Sequence, residues 1–207
     1  MHKEILSGEQ LELLPLVKQF MHEYYLVGVT AVALYIGHRR SIDFDLFKFS
    51  PLKHQKIVQK ITEFSYPYII TRRATEQLNV NVGNVKLTFF EYPFKIDAPT
   101  KFENVIRLPE LIDLAAMKAY ALGRRSKWKD YIDIYFILKY FYSIDQISKK
   151  ANEIYNQLFS EKLFRAQLSY FDDIDYSEPV EYLVPAVSGE EIKEFLIDKA
   201  TDINLEL

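Results

Sequence analysis

The chain has 207 residues, 49% of them apolar and 27% charged. That is enough for one large or two small globular domains, and the lack of cysteine excludes disulfides, thiolate metal sites and a cysteine nucleophile. The net charge of −3 divides unevenly: residues 1–171 carry 24 Lys+Arg against 18 Asp+Glu, and residues 172–207 carry 2 against 11. A mildly basic body suits a nucleotide or an RNA end without being a DNA-coating surface. With no signal-peptide pattern and no apolar run of membrane-spanning length, a soluble cytoplasmic protein is expected.

In chain order, Leu13, Leu16, Val17, Phe20, Met21 and Tyr24 stand at helical spacing and predict an amphipathic helix over 9–25. "YYLVG" reads as a short strand ending at Gly28, and "TAVALYIG" as a short apolar helix stopped at Gly37. "SIDFDLF" reads as a strand, and "SPLKHQKIVQKITEF" as a helix capped at Ser50 with Pro51 in its first turn. "PYIITRR", "EQLNVNV" and "VKLTFFEYPF" read as strands, the last two joined in a hairpin at Gly83-Asn84. Beyond Pro109 the segments are helical, ending with "SGEE" as a capping pattern before "IKEFLIDKAT". The fold class is therefore α+β: a mixed or antiparallel sheet with flanking helices over 1–108, then a helical half over 109–207 expected to close one side of a cleft.

The stretch "GHRRSIDFDLF" concentrates the chemistry. Alternation puts Asp43 and Asp45 on one strand face and Ile42, Phe44 and Leu46 on the other. Two neighbouring carboxylates repel unless a metal ion or a basic side chain offsets them. Gly28 ends the preceding strand, and Thr30 stands at a helix start where N–H groups favour phosphate. Arg39, Arg40 and Ser41 offer further phosphate donors, with Arg39 expected in the site, Arg40 in solvent and His38 packed at the helix end. Asp43 and Asp45 are hard-oxygen ligands of the kind Mg²⁺ takes, an assembly suited to two-metal nucleotidyl transfer. On a later helix, Asp130 and Asp133 share a face. They either ion-pair with Arg124, Arg125, Lys127 or Lys129, or join Lys118 at a nucleotide. Trp128 either packs in the core or stacks on a base.

"VGVTAVALYIGHRRSIDFDLF" resembles the signature of the AbiEii/AbiGii-type toxin nucleotidyltransferases of the polymerase-beta-like superfamily, through Gly28, Thr30, Gly37, His38, Arg39, Ser41, Asp43, Asp45 and Phe47. "AMKAYALGRRSKWKDYIDIYFIL" resembles the family's helical motif, through Lys118, Arg124, Lys129, Asp130 and Asp133. The resemblance implies transfer of an NMP from an NTP, with Mg²⁺, to a hydroxyl of RNA such as tRNA, and a cognate antitoxin. It implies Asp43 and Asp45 as catalytic metal ligands. Gly28, Val29, Thr30, Arg39, Ser41, Lys118, Lys129, Asp130 and Asp133 become the nucleotide-binding residues. The chain departs from the pattern twice. Val29 stands where the family has a second turn glycine, and Thr88 stands where a third carboxylate is usual, so Thr88, or Glu91 three residues on, is the candidate for a further metal ligand. The alternative to an enzyme is a degenerate nucleotide- or protein-binding descendant.

Overall fold

A computed structural model describes residues 1–122 and 124–202. The chain divides into two compact units, Met1–Glu110 and Leu111–Leu207.

The first unit opens with helix α1 (Gly8–Lys18), started by a capping box in which Ser7 and Gln10 exchange side-chain and backbone hydrogen bonds. It ends earlier than its apolar spacing predicts. Residues 19–24 continue as tight turns that still bury Phe20 and Tyr24. Strand β1 (Tyr25–Val27) leads into α2 (Gly28–Ile36), which Gly37 stops in the left-handed region at φ 73°. Strand β2 (Phe44–Lys48) starts late, so Ile42 falls outside it and is 53% exposed rather than on the apolar face. Helix α3 starts at His54, with Lys53 at its N-cap position, and runs to Glu63. Ser50 and Pro51 precede it without forming its first turn, and the helix instead starts close to its buried pair Ile57 and Ile61.

Strands β3 (Tyr68–Ala74), β4 (Gln77–Val82) and β5 (Val85–Glu91) form an antiparallel run, with Gly83 at φ 58° in the predicted hairpin. The hairpin β6 (Thr100–Phe102) and β7 (Ile106–Leu108) completes a seven-stranded mixed sheet in the order β3-β4-β5-β2-β1-β7-β6. The central strand β2 runs antiparallel to β1 and parallel to β5. One sheet face is apolar. Phe44, Leu46, Leu78, Val80, Leu87 and Phe89 are buried there, and Phe20 and Tyr24 meet Phe89 edge-on at 4.8 and 5.5 Å.

The second unit is helical: α4 (Leu111–Leu122), α5 (Trp128–Tyr140), α6 (Ile144–Tyr155), α7 (Glu161–Leu168) and α8 (Gly189–Thr201). Tyr120 of α4 stacks on Tyr155 of α6 at 3.8 Å, and Tyr135 of α5 meets Phe195 of α8 at 5.0 Å. Ser188 caps α8 by accepting from Glu191 N. The Glu191 carboxylate does not close a capping box but accepts from Tyr135 and Lys139. Before α8, the segment around Asp175 lies along the start of α5. Trp128 N donates to Asp175 O, and Glu178 takes both Lys127 and Lys129.

The hydrogen bond from Lys127 holds the Glu178 carboxyl at about 2, against an ordinary 4.5. Lys129 adds to the effect, and burial opposes it. A depressed carboxyl stabilises the fold above its unfolded pKa and stops doing so as pH falls through the folded one. Amide hydrogen-exchange protection of residues 126–128 and 175 should therefore hold at pH 6 and weaken between about pH 4.5 and 2. Protection unchanged across that window would show that the Glu178 contacts do not hold the segment.

Candidate active site

The site grows from three neighbouring strands. Val27 is paired with Asp45 across β1 and β2, and Asp45 with Thr88 across β2 and β5. Residues aligned across a sheet share a face, so Asp45 and Thr88 lie side by side. Gly28 follows Val27 at φ 70°, and a Cβ there would collide with the Asp45 carboxylate. A side chain is thus excluded from position 28 both by backbone conformation and by the acid it would strike. Val27 gives α2 no side-chain cap, so the carboxylate of Asp45 stands at the positive end of an uncapped helix.

Asp43 precedes the strand. Its carboxylate is 3.0 Å from Lys86 Nζ, and both side chains are partly exposed. A lysine of the neighbouring strand therefore stands as a cation beside Asp43. Sequence reasoning passed over Lys86. No local signal marks it, because only the parallel register of β2 with β5 sets it beside Asp43.

Thr30 and Ser41 are buried, and they hold the loop that delivers Asp43. The Thr30 hydroxyl donates to the Asp43 carbonyl. With that proton committed, the 2.7 Å contact with Ser41 Oγ is Ser41 donating to Thr30. Gln10 Nε2 donates to the same carbonyl at 3.4 Å. Arg39 and His38 are both buried. Arg40, expected in solvent, is half-buried and donates to the carbonyls of Glu4 and Leu6, tying the N-terminal segment to the loop. Val29 is half-exposed in the first turn of α2.

Of the two candidates for a third ligand, Thr88 is the one beside Asp45. Pairing of β2 with β5 runs without a bulge from Phe44–Leu87 to Lys48–Glu91. Glu91 therefore stays beside Lys48, on the face opposite Asp45. Among the described residues no group of three His, Cys, Asp or Glu side chains could hold a metal ion. The donors present are two carboxylates and a hydroxyl, all hard oxygens, and Asp43 already attracts an ammonium. The set fits a Mg²⁺ ion whose remaining shell is water and phosphate.

The helical motif forms a cluster of its own in the second unit. Lys118 Nζ is 2.6 Å from both Asp130 Oδ1 and Asp133 Oδ2, and Arg125 donates to Asp130 at 3.0 and 3.3 Å. Lys118, Asp130 and Asp133 are buried. Their charges are thus satisfied within α4 and α5, through Lys118 and Arg125. Lys129 turns instead to Glu178 at 3.1 Å, and Arg124 lies over the Tyr120 ring at 3.4 Å. Trp128 packs against Tyr131 and Tyr176, with Lys193 over its ring.

Residues 16–205 match the family model described as nucleotidyl transferase AbiEii toxin, type IV toxin–antitoxin system. The chain belongs to this family. An uncharacterized protein of Aquifex aeolicus (strain VF5) is 29% identical to it over 204 residues, covering 95% of this chain and 97% of that protein. Two solved structures share the fold. MenT4, a nucleotidyltransferase toxin of Mycobacterium tuberculosis, superposes with TM-score 0.59 at 12% identity, covering 94% of this chain and 83% of that one. JHP933 of Helicobacter pylori does so with TM-score 0.56 at 18% identity, covering 94% and 91%. The AbiEii family is one of nucleotidyltransferase toxins. No helix among the described residues is long and apolar enough to cross a membrane.

Proposed function

We propose that this AbiEii-family member is a cytoplasmic, Mg²⁺- and NTP-dependent nucleotidyltransferase that moves an NMP to a hydroxyl of RNA, tRNA being the acceptor class the family suggests. A cognate antitoxin is the partner that a type IV system implies. The observation that carries the reading is the Asp45 carboxylate set against Gly28 at the start of α2 and aligned with Thr88. The acceptor oxygen attacks the α-phosphorus, the bond from that phosphorus to the pyrophosphate oxygen breaks, and pyrophosphate leaves. Asp43 and Asp45 would hold the metal, whose chemistry there would be to neutralise and orient the phosphoryl oxygens of the triphosphate. Gly28, Val29 and the α2 N-terminus receive phosphate. Thr30, Ser41 and Arg39 complete the nucleotide-binding set, Thr30 and Ser41 also holding the loop that delivers Asp43. Lys118, Lys129, Asp130 and Asp133 are carried as nucleotide-binding residues on the motif alone. Incubation with each α-labelled NTP, Mg²⁺ and total tRNA should label RNA with the wild type and not with Asp45→Ala. Equal labelling by both would overturn the assignment.

Thr88 also favours a second reading, a degenerate nucleotide- or protein-binding descendant, because no carboxylate stands there to take the acceptor proton or hold a second metal. Thr88→Asp separates the two. It is expected to raise Mg²⁺ affinity and any transfer rate. Without metal it should lower the melting temperature, because a third negative charge joins Asp43 and Asp45. If metal affinity and rate stay at wild-type values, position 88 is not a ligand position.

A further inference from the structure

The sheet face that carries Asp45 continues past Thr88 to the sheet edge, and the register fixes what it presents. Asn79 is aligned with Thr88, and Asn81 with Lys86. A bulge between Ile70 and Arg72 then aligns Arg72 with Asn79. One row across the sheet therefore reads Asp45, Thr88, Asn79, Arg72. The next row reads Lys86, Asn81, Ile69, with Lys86 reaching Asp43. Gln77, Asn79 and Asn81 alternate along β4, so all three amides share this face, while Leu78, Val80 and Val82 are buried on the other.

The face is open at its far end, where Ile69 is 70% exposed and Arg72 is exposed. Of the residues in β3, β4 and β5, Glu91 is the only acid, and it lies on the opposite face. The charges offered here are thus positive, growing from the two acids toward the edge. Arginines and a bulge on an edge strand also block strand addition. That accounts for β3 but not for three amides on the interior strand β4. Asn81 Oδ1, moreover, is withdrawn from solvent and has no hydrogen-bond partner. A buried carbonyl oxygen in that state needs a donor from a ligand or from water.

We propose that this face is the acceptor track, taking single-stranded RNA whose terminal hydroxyl is delivered beside Thr88 and Asp45. Lys86 and Arg72 would meet phosphates. Gln77, Asn79 and Asn81 would bond base edges and ribose hydroxyls, which donate and accept as amides do. A row of sheet residues displaying polar groups is a surface on which single strands, rather than duplexes, are read. The inference rests on the nucleotidyl-transfer reading, since it uses that site as the end of the track.

The test uses the full chain and a labelled 12-nucleotide single-stranded oligoribonucleotide, with binding read by fluorescence anisotropy and NMP incorporation read on the same oligonucleotide. Arg72→Glu and the isosteric Asn81→Asp are each expected to weaken RNA binding about tenfold or more and leave the KM for NTP unchanged. Arg73→Glu, aligned with Leu78 on the other face, is the control and should bind within about twofold of wild type. Arg72→Ala should reduce the slope of log affinity against log salt by about 0.7 if Arg72 meets one phosphate. The proposal is overturned if wild type does not bind the oligonucleotide, or if Arg73→Glu weakens binding as much as Arg72→Glu. NMP transfer to RNA with face variants indistinguishable from wild type would remove the track and leave the transferase reading standing. Face-dependent binding with no transfer of any NMP would do the reverse.

Discussion

Asp45→Asn is expected to lower NMP transfer by about 10²–10³-fold while leaving the fold intact. Asp45 is fixed by both flanking strands, through Val27 on one side and Thr88 on the other, and its carboxylate fills the space that a side chain at position 28 would take. Among the described residues no third carboxylate joins it in a metal-holding group, since Thr88 offers a hydroxyl and Glu91 faces away. Asparagine keeps the shape and loses the charge, so a metal bound to phosphate loses its main anchor. The side chain is only half-buried, so removing one of two repelling acids should change stability by less than about 1 kcal/mol. Steady-state rates beside a thermal melt read both quantities. A loss under about threefold would mean that Asp45 is not a catalytic ligand.

The largest effect on stability is expected at Lys118. Its ammonium is buried between Asp130 and Asp133, and Arg125, half outside the cluster, is the other positive partner on Asp130. Lys118→Met takes away the ammonium that both buried carboxylates share. Breaking a buried ion cluster from one side costs about 3–5 kcal/mol, because the remaining charges lose their partner without regaining water. Chemical denaturation followed by a probe on α5 should show that loss. By contrast, Lys129→Met, whose partner Glu178 is half-exposed, should cost no more than about 1 kcal/mol. Equal, small losses at both positions would show that the cluster does not hold α4 to α5.

The contrast between the two motifs shows what a sequence exposes. The β2 strand, the α2 stop at Gly37 and the Gly83 hairpin were legible because alternation, helical spacing and glycine conformation are local properties. The family was legible because its motif is contiguous. The hairpin β6–β7 was not, since its three-residue strands flank a turn with no glycine to mark it. The start of α3 was misplaced because Ser50 and Pro51 satisfy a local capping rule that the helix does not use. The partner of Asp43 was invisible for a different reason. Lys86 is 43 positions away, and only the parallel register of β2 with β5 brings the two together. The same holds for the row from Thr88 through Asn79 to Arg72, which appears only once three strand pairings are known. Arg40 reads in isolation as a solvated turn residue, yet the N-terminal carbonyls of Glu4 and Leu6 lie within its reach.

Whether a site with two acids and a threonine transfers a nucleotidyl group is tested most directly by running the wild-type chain with Mg²⁺ and RNA in two parallel reactions, one with α-labelled and one with γ-labelled NTP. Nucleotidyl transfer puts the α-label in the RNA and releases the γ-label as pyrophosphate. The γ-label entering the acceptor, or neither label leaving the nucleotide while the protein still binds it, would contradict nucleotidyl transfer at this site.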